Sequence, residues 1–121
     1  MISREEMNPH SYKLTDEQEA NQQTLHVAIN KIRSAYNKPM IVTSGVRSQQ
    51  DQARINPSAP KSKHLLGAAV DIADSNGELY KWCKDNTKEL EDAGLYCEEG
   101  TKGWVHFQSI PPKSKKRWFI P

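Results

Sequence analysis

Two short segments of the sequence alternate apolar and polar residues, which is typical of strands that bury one face. In "AVDIA", the apolar Val70 and Ile72 flank Asp71, and in "WVHFQ", His106 lies between two apolar residues. Since successive strand side chains point to opposite faces, both polar residues project away from the core. The residues predicted on the polar face of the second strand are Trp104, His106 and Gln108. The sequence therefore predicts a sheet with a carboxylate and an imidazole on its polar face.

A third possible metal ligand precedes the first of these strands. His64 lies seven residues before Asp71, and the small residues Gly67, Ala68 and Ala69 between them would let the backbone turn into the strand. Two imidazoles and one carboxylate suit zinc, and three protein ligands leave a coordination position open, as in catalytic sites. A purely structural role for the three residues is the alternative at this stage.

Length and charge limit the remaining classes. The chain has 121 residues, 36% of them hydrophobic, which fits one compact domain spanning residues 1–121. A net charge of +2 argues against nucleic acid as the main partner. The basic tail, in which Lys113, Lys115, Lys116 and Arg117 lie close together, leaves an anionic polymer as a minor alternative.

Neither membrane insertion nor cysteine chemistry is indicated. The start "MISREEMNPH" lacks the apolar segment of a secretory signal, and no apolar run approaches the roughly 20 residues of a membrane span. We therefore expect no signal peptide and no membrane association. Cys83 and Cys97 form no CxxC pair, so we expect two reduced, partly buried thiols.

The first half of the chain predicts a helix, a strand and a loop. Thr15 and Gln18 form a capping box, and apolar residues at helical spacing follow as far as Tyr36. Residues 40–45 read as a short buried strand. The polar segment 46–64, which contains Pro57 and Pro60, is predicted to be a long loop.

The second half predicts three strands and a helical region. Residues 67–74 read as a strand, and the pairs Ser75–Glu78 and Asn86–Glu89 are expected to be capping boxes that start helices. Gly94 is expected to end the helical region. Residues 95–99 and 104–108 are predicted strands, joined by the glycine-rich turn "GTKG".

These residues resemble the M15 zinc peptidases. The resemblance rests on the pattern Ser62-x-His64-x-x-Gly67-x-Ala69-x-Asp71, with "TSGVRS" upstream and "WVH" downstream. The family includes D-Ala-D-Ala carboxypeptidases and dipeptidases and the L-Ala-D-Glu endopeptidases of phage endolysins. The matching segments lie in the family's order between residues 40 and 107.

The resemblance implies a fold and a set of roles. The fold would be a small α+β domain, with helices on one face of an antiparallel sheet and one zinc ion on the other. The implied zinc ligands are His64, Asp71 and His106. Arg47 matches the arginine that binds the substrate carbonyl and stabilises the oxyanion, and Ser62 and Trp104, within the matched motifs, are expected to contact substrate.

The general base is the point at which this sequence departs from the family. Many members carry an acidic residue three positions before the last histidine, where this chain has Gly103. If the hairpin loop is even-numbered, Glu99 lies opposite Trp104 and Cys97 opposite His106, so Glu99 would face the zinc. We therefore predict Glu99 as the base, although a one-residue bulge would put Glu98 in its place.

The resemblance predicts a peptidase that cuts the stem peptide of bacterial peptidoglycan, either as an endopeptidase or as a D,D-carboxypeptidase or dipeptidase. Because no signal peptide is expected, we expect the protein to be in the cytoplasm of the producing cell. It would act on the wall after release, as a phage endolysin does, or as part of a virion. We also expect a monomer. The alternative is a zinc-containing module of the same fold that binds wall peptides or another protein without cutting them.

Overall fold

A five-stranded sheet with helices packed against one face forms the domain. The structure, a computed structural model, describes residues 1–55 and 62–121. The helices are α1 (Asp16–Tyr36), α2 (Gln49–Ile55), α3 (Glu78–Asp85) and α4 (Thr87–Ala93), and a 3₁₀ turn spans Lys63–Leu66. The strands are β1 (Val42–Ser44), β2 (Ala69–Asp74), β3 (Tyr96–Glu98), β4 (Gly103–Gln108) and β5 (Trp118–Phe119). Within the described ranges, no helix is both long and apolar enough to cross a membrane.

The sheet has the strand order β1-β2-β4-β3-β5. Its centre is the antiparallel pair β2–β4, in which Asp71 lies directly opposite His106. The predicted α+β class, with antiparallel pairing through the first four strands, is confirmed. The edge strand β5 was not anticipated, and it pairs in parallel with β3, which makes the sheet mixed.

Helix α1 forms as its sequence predicts. The Thr15 side chain accepts a hydrogen bond from the backbone N–H of Gln18, and the Gln18 side chain accepts one from the backbone N–H of Thr15. Asn37, in the left-handed conformation at φ 58°, ends the helix. The residues buried along its inner face are Gln22, Leu25, Ala28, Ile29 and Ile32.

The core lies between α1, α3 and α4 and one face of the sheet. The central strands contribute Val70, Ile72, Val105 and Phe107, all fully buried. Burying an aliphatic or aromatic side chain of this size is worth about 1.5–3 kcal/mol. Because these residues fill the helix-covered face, the alternating residues Asp71 and His106 are left on the opposite face, as predicted.

The helical region of the second half begins differently from the prediction. The Ser75–Glu78 capping box is wrong, because Gly77 occupies the cap position of α3 and makes no side-chain cap. The Asp74 carboxylate at the end of β2 accepts from the backbone N–H groups of Leu79 and Tyr80 instead.

The predicted restart of the helix at Asn86 is confirmed, but the predicted capping box at α4 is wrong. Asn86 occupies the cap position there, but its side chain makes no capping hydrogen bond. The predicted stop at Gly94 is confirmed by its left-handed φ of 77°.

The segment predicted as a long loop is partly helical. Helix α2 occupies Gln49–Ile55, and the Ser48 hydroxyl accepts from the backbone N–H of Asp51 in its first turn. The segment is polar, contains two prolines and is too long for a tight turn, which is why the sequence predicts a loop there. Pro57 and Pro60 lie outside the described residues.

The expected hairpin register is wrong by one residue. Cys97 lies opposite Phe107, and Tyr96 lies opposite Gln108, whereas an even-numbered loop would have placed Cys97 opposite His106. The connection contains two glycines in the left-handed region, Gly100 at φ 77° and Gly103 at φ 92°. Such positions are typical of bulged connections, which add one residue to a strand. Cys97 consequently points into the core, where it and Cys83 are buried free thiols.

Candidate metal centre

Three side chains converge on the face of the sheet opposite the helices. His64 comes from the 3₁₀ turn, Asp71 from β2 and His106 from β4, and one potential ligand atom of each lies within 4.8 Å of the others. Asp71 Oδ1 lies 3.3 Å from His64 Nε2 and 2.9 Å from His106 Nδ1. The side chains are only 3%, 12% and 12% exposed for His64, Asp71 and His106. Strand alternation predicted that Asp71 and His106 share this face, and the sequence analysis proposed the preceding His64 as the third ligand.

The 3₁₀ turn holds His64 against the sheet. The Ser62 hydroxyl accepts from the His64 backbone N–H, and Gly67, at φ 72°, ends the turn and donates to the His64 carbonyl. A Cβ on Gly67 would lie 2.9 Å from the Gln18 carbonyl oxygen of α1, so glycine suits both the φ angle and the close approach. The Ser62 hydroxyl is engaged in this turn, and its contact with substrate stays a prediction.

In each histidine, the ring nitrogen that points away from Asp71 lies within hydrogen-bond distance of an oxygen atom. His64 Nδ1 lies 2.8 Å from the Gly45 carbonyl oxygen, and His106 Nε2 lies 2.8 Å from Gln108 Oε1. A carbonyl oxygen can only accept, so His64 Nδ1 carries a proton, which leaves Nε2, the nitrogen that faces Asp71, as the atom that could bind a metal. Such outer hydrogen bonds are typical of metal-binding histidines.

The cluster is electrostatically coupled in the protein without metal. Burial raises the pKa of Asp71, but the hydrogen bonds with His106 and His64 outweigh it and hold that pKa well below its usual range. Burial lowers the pKa of His106, but the bond to Asp71 outweighs it and raises that pKa above its usual value. Asp71 is therefore ionised at any pH at which the protein would function.

Arg47 lies at the edge of the cluster, as its motif predicted. Its guanidinium donates from Nε to Ser44 Oγ at 2.9 Å, from Nη1 to Gln52 Oε1 at 2.9 Å and from Nη2 to Asp71 Oδ2 at 3.3 Å. Burial lowers the pKa of Arg47, and Asp71 opposes that shift. The side chain is held in one orientation by three partners, with its charge beside the possible metal ligands.

The structure overturns the placement of Glu99. With Cys97 opposite Phe107 and pointing into the core, alternation puts Glu98 on the polar face and Glu99 on the helix side. Glu99 is exposed there and forms an ion pair with Lys84 and a hydrogen bond with Tyr80, both on α3. Glu98 is half-buried, and its pKa is raised mainly by burial, with further influence from His106, Asp71 and His64. Glu98 is therefore the acidic residue of this hairpin that faces the cluster.

Trp104 lies two residues before His106 on β4, opposite Ala73 of β2. It is 39% exposed, and alternation places it on the same face as His106. An exposed tryptophan beside a small residue could form one wall of a binding groove. Contact with substrate stays a prediction.

Sequence reasoning missed the supporting contacts. It gave no role to Ser44 or Gln52, which hold Arg47, or to the Gly45 carbonyl, which orients His64. Gln108 was placed on the correct face but given no function. Only the position of Ser44 and Gly45 inside the "TSGVRS" segment offered a signal, because the other contacts depend on side-chain orientation.

The donor set fits a zinc ion. Zinc takes imidazole nitrogen and carboxylate oxygen, and three such ligands are the usual number in its catalytic sites. Within residues 1–55 and 62–121, this is the grouping of histidine, cysteine and acidic side chains that could hold a metal.

Comparison with known proteins adds three findings. The sequence profile of the family described as Peptidase M15 matches residues 2–108. No curated protein matches the sequence. Among solved structures, the chain is similar to the L-Ala D-Glu endopeptidase ChiX of Serratia marcescens, with 24% identity, 84% of this chain and 92% of that chain covered, and a TM-score of 0.49.

Proposed function

Because the chain belongs to the peptidase M15 family, we propose that it is a zinc-dependent peptidase that hydrolyses a bond in the stem peptide of bacterial peptidoglycan. The observation that carries the proposal is the convergence of His64 Nε2, Asp71 Oδ1 and His106 Nδ1 on one point. The peptidoglycan substrate is inferred from the resemblance of the motifs to wall-cleaving members. A role as a phage endolysin or virion enzyme, acting as a monomer, is proposed on the same resemblance.

A zinc ion held by His64, Asp71 and His106 would supply Lewis-acid chemistry for a substrate carbonyl and a water molecule near neutral pH. Arg47 adds a fixed positive charge at the edge of the site, where it would stabilise negative charge on the carbonyl oxygen in the transition state. Its contacts with Ser44 and Gln52 hold it in place before substrate arrives, so little reorganisation accompanies the reaction.

Glu98 is proposed as the general base and acid. It faces the cluster from β3, and burial raises its pKa, which suits a group that must accept and then return a proton. The carboxylate would take a proton from water and deliver it to the leaving amine. Trp104 is proposed to line the groove along β4 that holds the peptide.

The position of Glu98 favours an enzyme over the non-catalytic alternative. Gly103 removes the acidic residue that many relatives carry, and this had suggested a module that binds without cutting. The Glu98 carboxylate on the neighbouring strand β3 would replace this group. A binding module would have no need for a half-buried carboxylate beside its metal ligands.

Incubation with purified peptidoglycan tests the proposal. We expect stem-peptide fragments with newly exposed amino groups, identified by mass spectrometry, in the presence of zinc and not in the presence of a chelator. A His64→Ala variant should release none of them. Zinc binding by the wild type without fragment release would support the binding module instead, and the fragment masses would identify the bond that is cut.

A further inference from the structure

The side chain of Gln108 lies between a proposed zinc ligand and a main-chain carbonyl. Its Oε1 lies 2.8 Å from His106 Nε2, and its Nε2 donates to the carbonyl oxygen of Ile110 at 2.8 Å. The residue is 4% exposed and is the last residue of the central strand β4, where it pairs with Ala69 and Tyr96. Bulk water therefore has little access to these two contacts.

The carbonyl of Ile110 fixes which way the amide points. A carbonyl oxygen can only accept, so the amide nitrogen of Gln108 must face Ile110 and the amide oxygen must face His106. The opposite orientation would set two acceptors against each other in a buried place, which costs about 1–3 kcal/mol. Gln108 therefore offers His106 an acceptor and no donor.

We propose that Gln108 is a positioning residue that keeps the proton of His106 on Nε2 and so leaves the Nδ1 lone pair free for the metal. The inference rests on the proposed zinc site and extends it to a residue outside the ligand set. His106 Nδ1 lies 2.9 Å from Asp71 Oδ1 and donates to that carboxylate in the metal-free protein, so the nitrogen that would exchange its proton for the metal is the one directed at the other ligands. The Gly45 carbonyl has the corresponding effect on His64 through the opposite ring nitrogen.

Replacing such an outer partner typically weakens metal binding by about 10- to 100-fold. Gln108→Met tests this because methionine has a similar length and can supply neither hydrogen bond. Gln22→Met is the matched control. Gln22 is 1% exposed and donates to the Met7 carbonyl at 3.2 Å, and it lies on α1, which supplies none of the three proposed ligands.

Zinc dissociation constants are measured by competition with a chelating dye, with folding checked by thermal unfolding. We expect a loss of about 10- to 100-fold for Gln108→Met, little change for Gln22→Met, and partial recovery for Gln108→Glu, which keeps an acceptor oxygen. Equal affinity of Gln108→Met and the wild type would overturn the inference while leaving the zinc site intact. Absence of zinc binding by the wild type would overturn the proposed function itself, and the inference with it.

Nitrogen-15 NMR of the zinc-loaded wild type provides a second test that needs no variant. We expect His106 to show a protonated Nε2, in slow exchange with water, and a metal-bound Nδ1. A metal-bound Nε2 with a proton on Nδ1 would refute the assigned role of Gln108.

Discussion

The neighbours Glu98 and Glu99 allow a sharp test of the proposed catalytic base. We predict that Glu98→Gln nearly abolishes peptide hydrolysis and leaves zinc binding intact, whereas Glu99→Gln retains activity. Glutamine has the shape of glutamate but cannot accept the proton. The two residues are adjacent on β3, and the observed register sends only Glu98 to the face with His106.

The expected magnitudes follow from the two environments. General-base catalysis contributes about 10²- to 10⁴-fold, so Glu98→Gln should raise the activation barrier by about 3–5 kcal/mol. Glu99 forms an ion pair with Lys84 in which the side chains are 39% and 36% exposed, and exposed pairs are typically worth less than about 1 kcal/mol. Glu99→Gln should therefore lower stability slightly and change the rate by less than about twofold.

The assay compares initial rates of fragment release from peptidoglycan at equal zinc occupancy, measured by elemental analysis of the same samples. A lower rate without loss of zinc separates proton transfer from metal binding. The reasoning is refuted if Glu99→Gln is the inactive variant, since this would mean that β3 has the other register in solution. Full activity in both variants would assign the base to a residue outside this hairpin.

Three further predictions concern the supporting structure. Arg47→Ala should retain zinc but lose about a hundredfold or more in rate, and a wild-type rate would refute this role. Arg47→Lys should recover little of the loss, because one ammonium cannot replace a guanidinium with three partners. Zinc affinity should fall about tenfold for each pH unit below the raised pKa of His106, because the metal must displace the proton of that histidine. Calorimetry between about pH 6 and pH 9 measures this, and an unchanged affinity would exclude His106 as a ligand. Gly45→Ala should lower the free energy of unfolding, measured in denaturant, by about 1–3 kcal/mol, because the new Cβ would lie 2.1 Å from the Met7 carbonyl oxygen. The variant should also weaken zinc binding by moving the carbonyl that orients His64. Unchanged stability would contradict this packing.

The features that were predictable from the sequence depend on local periodicity. Helix α1 is specified by the reciprocal hydrogen bonds of Thr15 and Gln18 and by a buried stripe, both of which are visible in the residue order. The faces of Asp71 and His106 follow from alternation within each strand and need no knowledge of the partner strand. For this reason the proposed metal centre could be outlined before the fold was known.

The features that were missed depend on geometry between segments. The connection between β3 and β4 has Gly100 and Gly103 in left-handed conformations, and a change of one residue in the hairpin register exchanges the faces of Glu98 and Glu99. Strand β5 has only two residues, too few for a detectable pattern. The contact of Gln108 with the Ile110 carbonyl depends on side-chain orientation, which composition and spacing do not specify.

The central claim is that His64, Asp71 and His106 hold a zinc ion that enables peptide hydrolysis. The most direct test is the rate of peptidoglycan cleavage by metal-stripped protein as zinc is added in known equivalents. We predict no fragment release without metal, a linear rise in rate and a plateau at about one zinc per chain. Full activity in the metal-stripped protein, or none at any zinc concentration, would contradict the account.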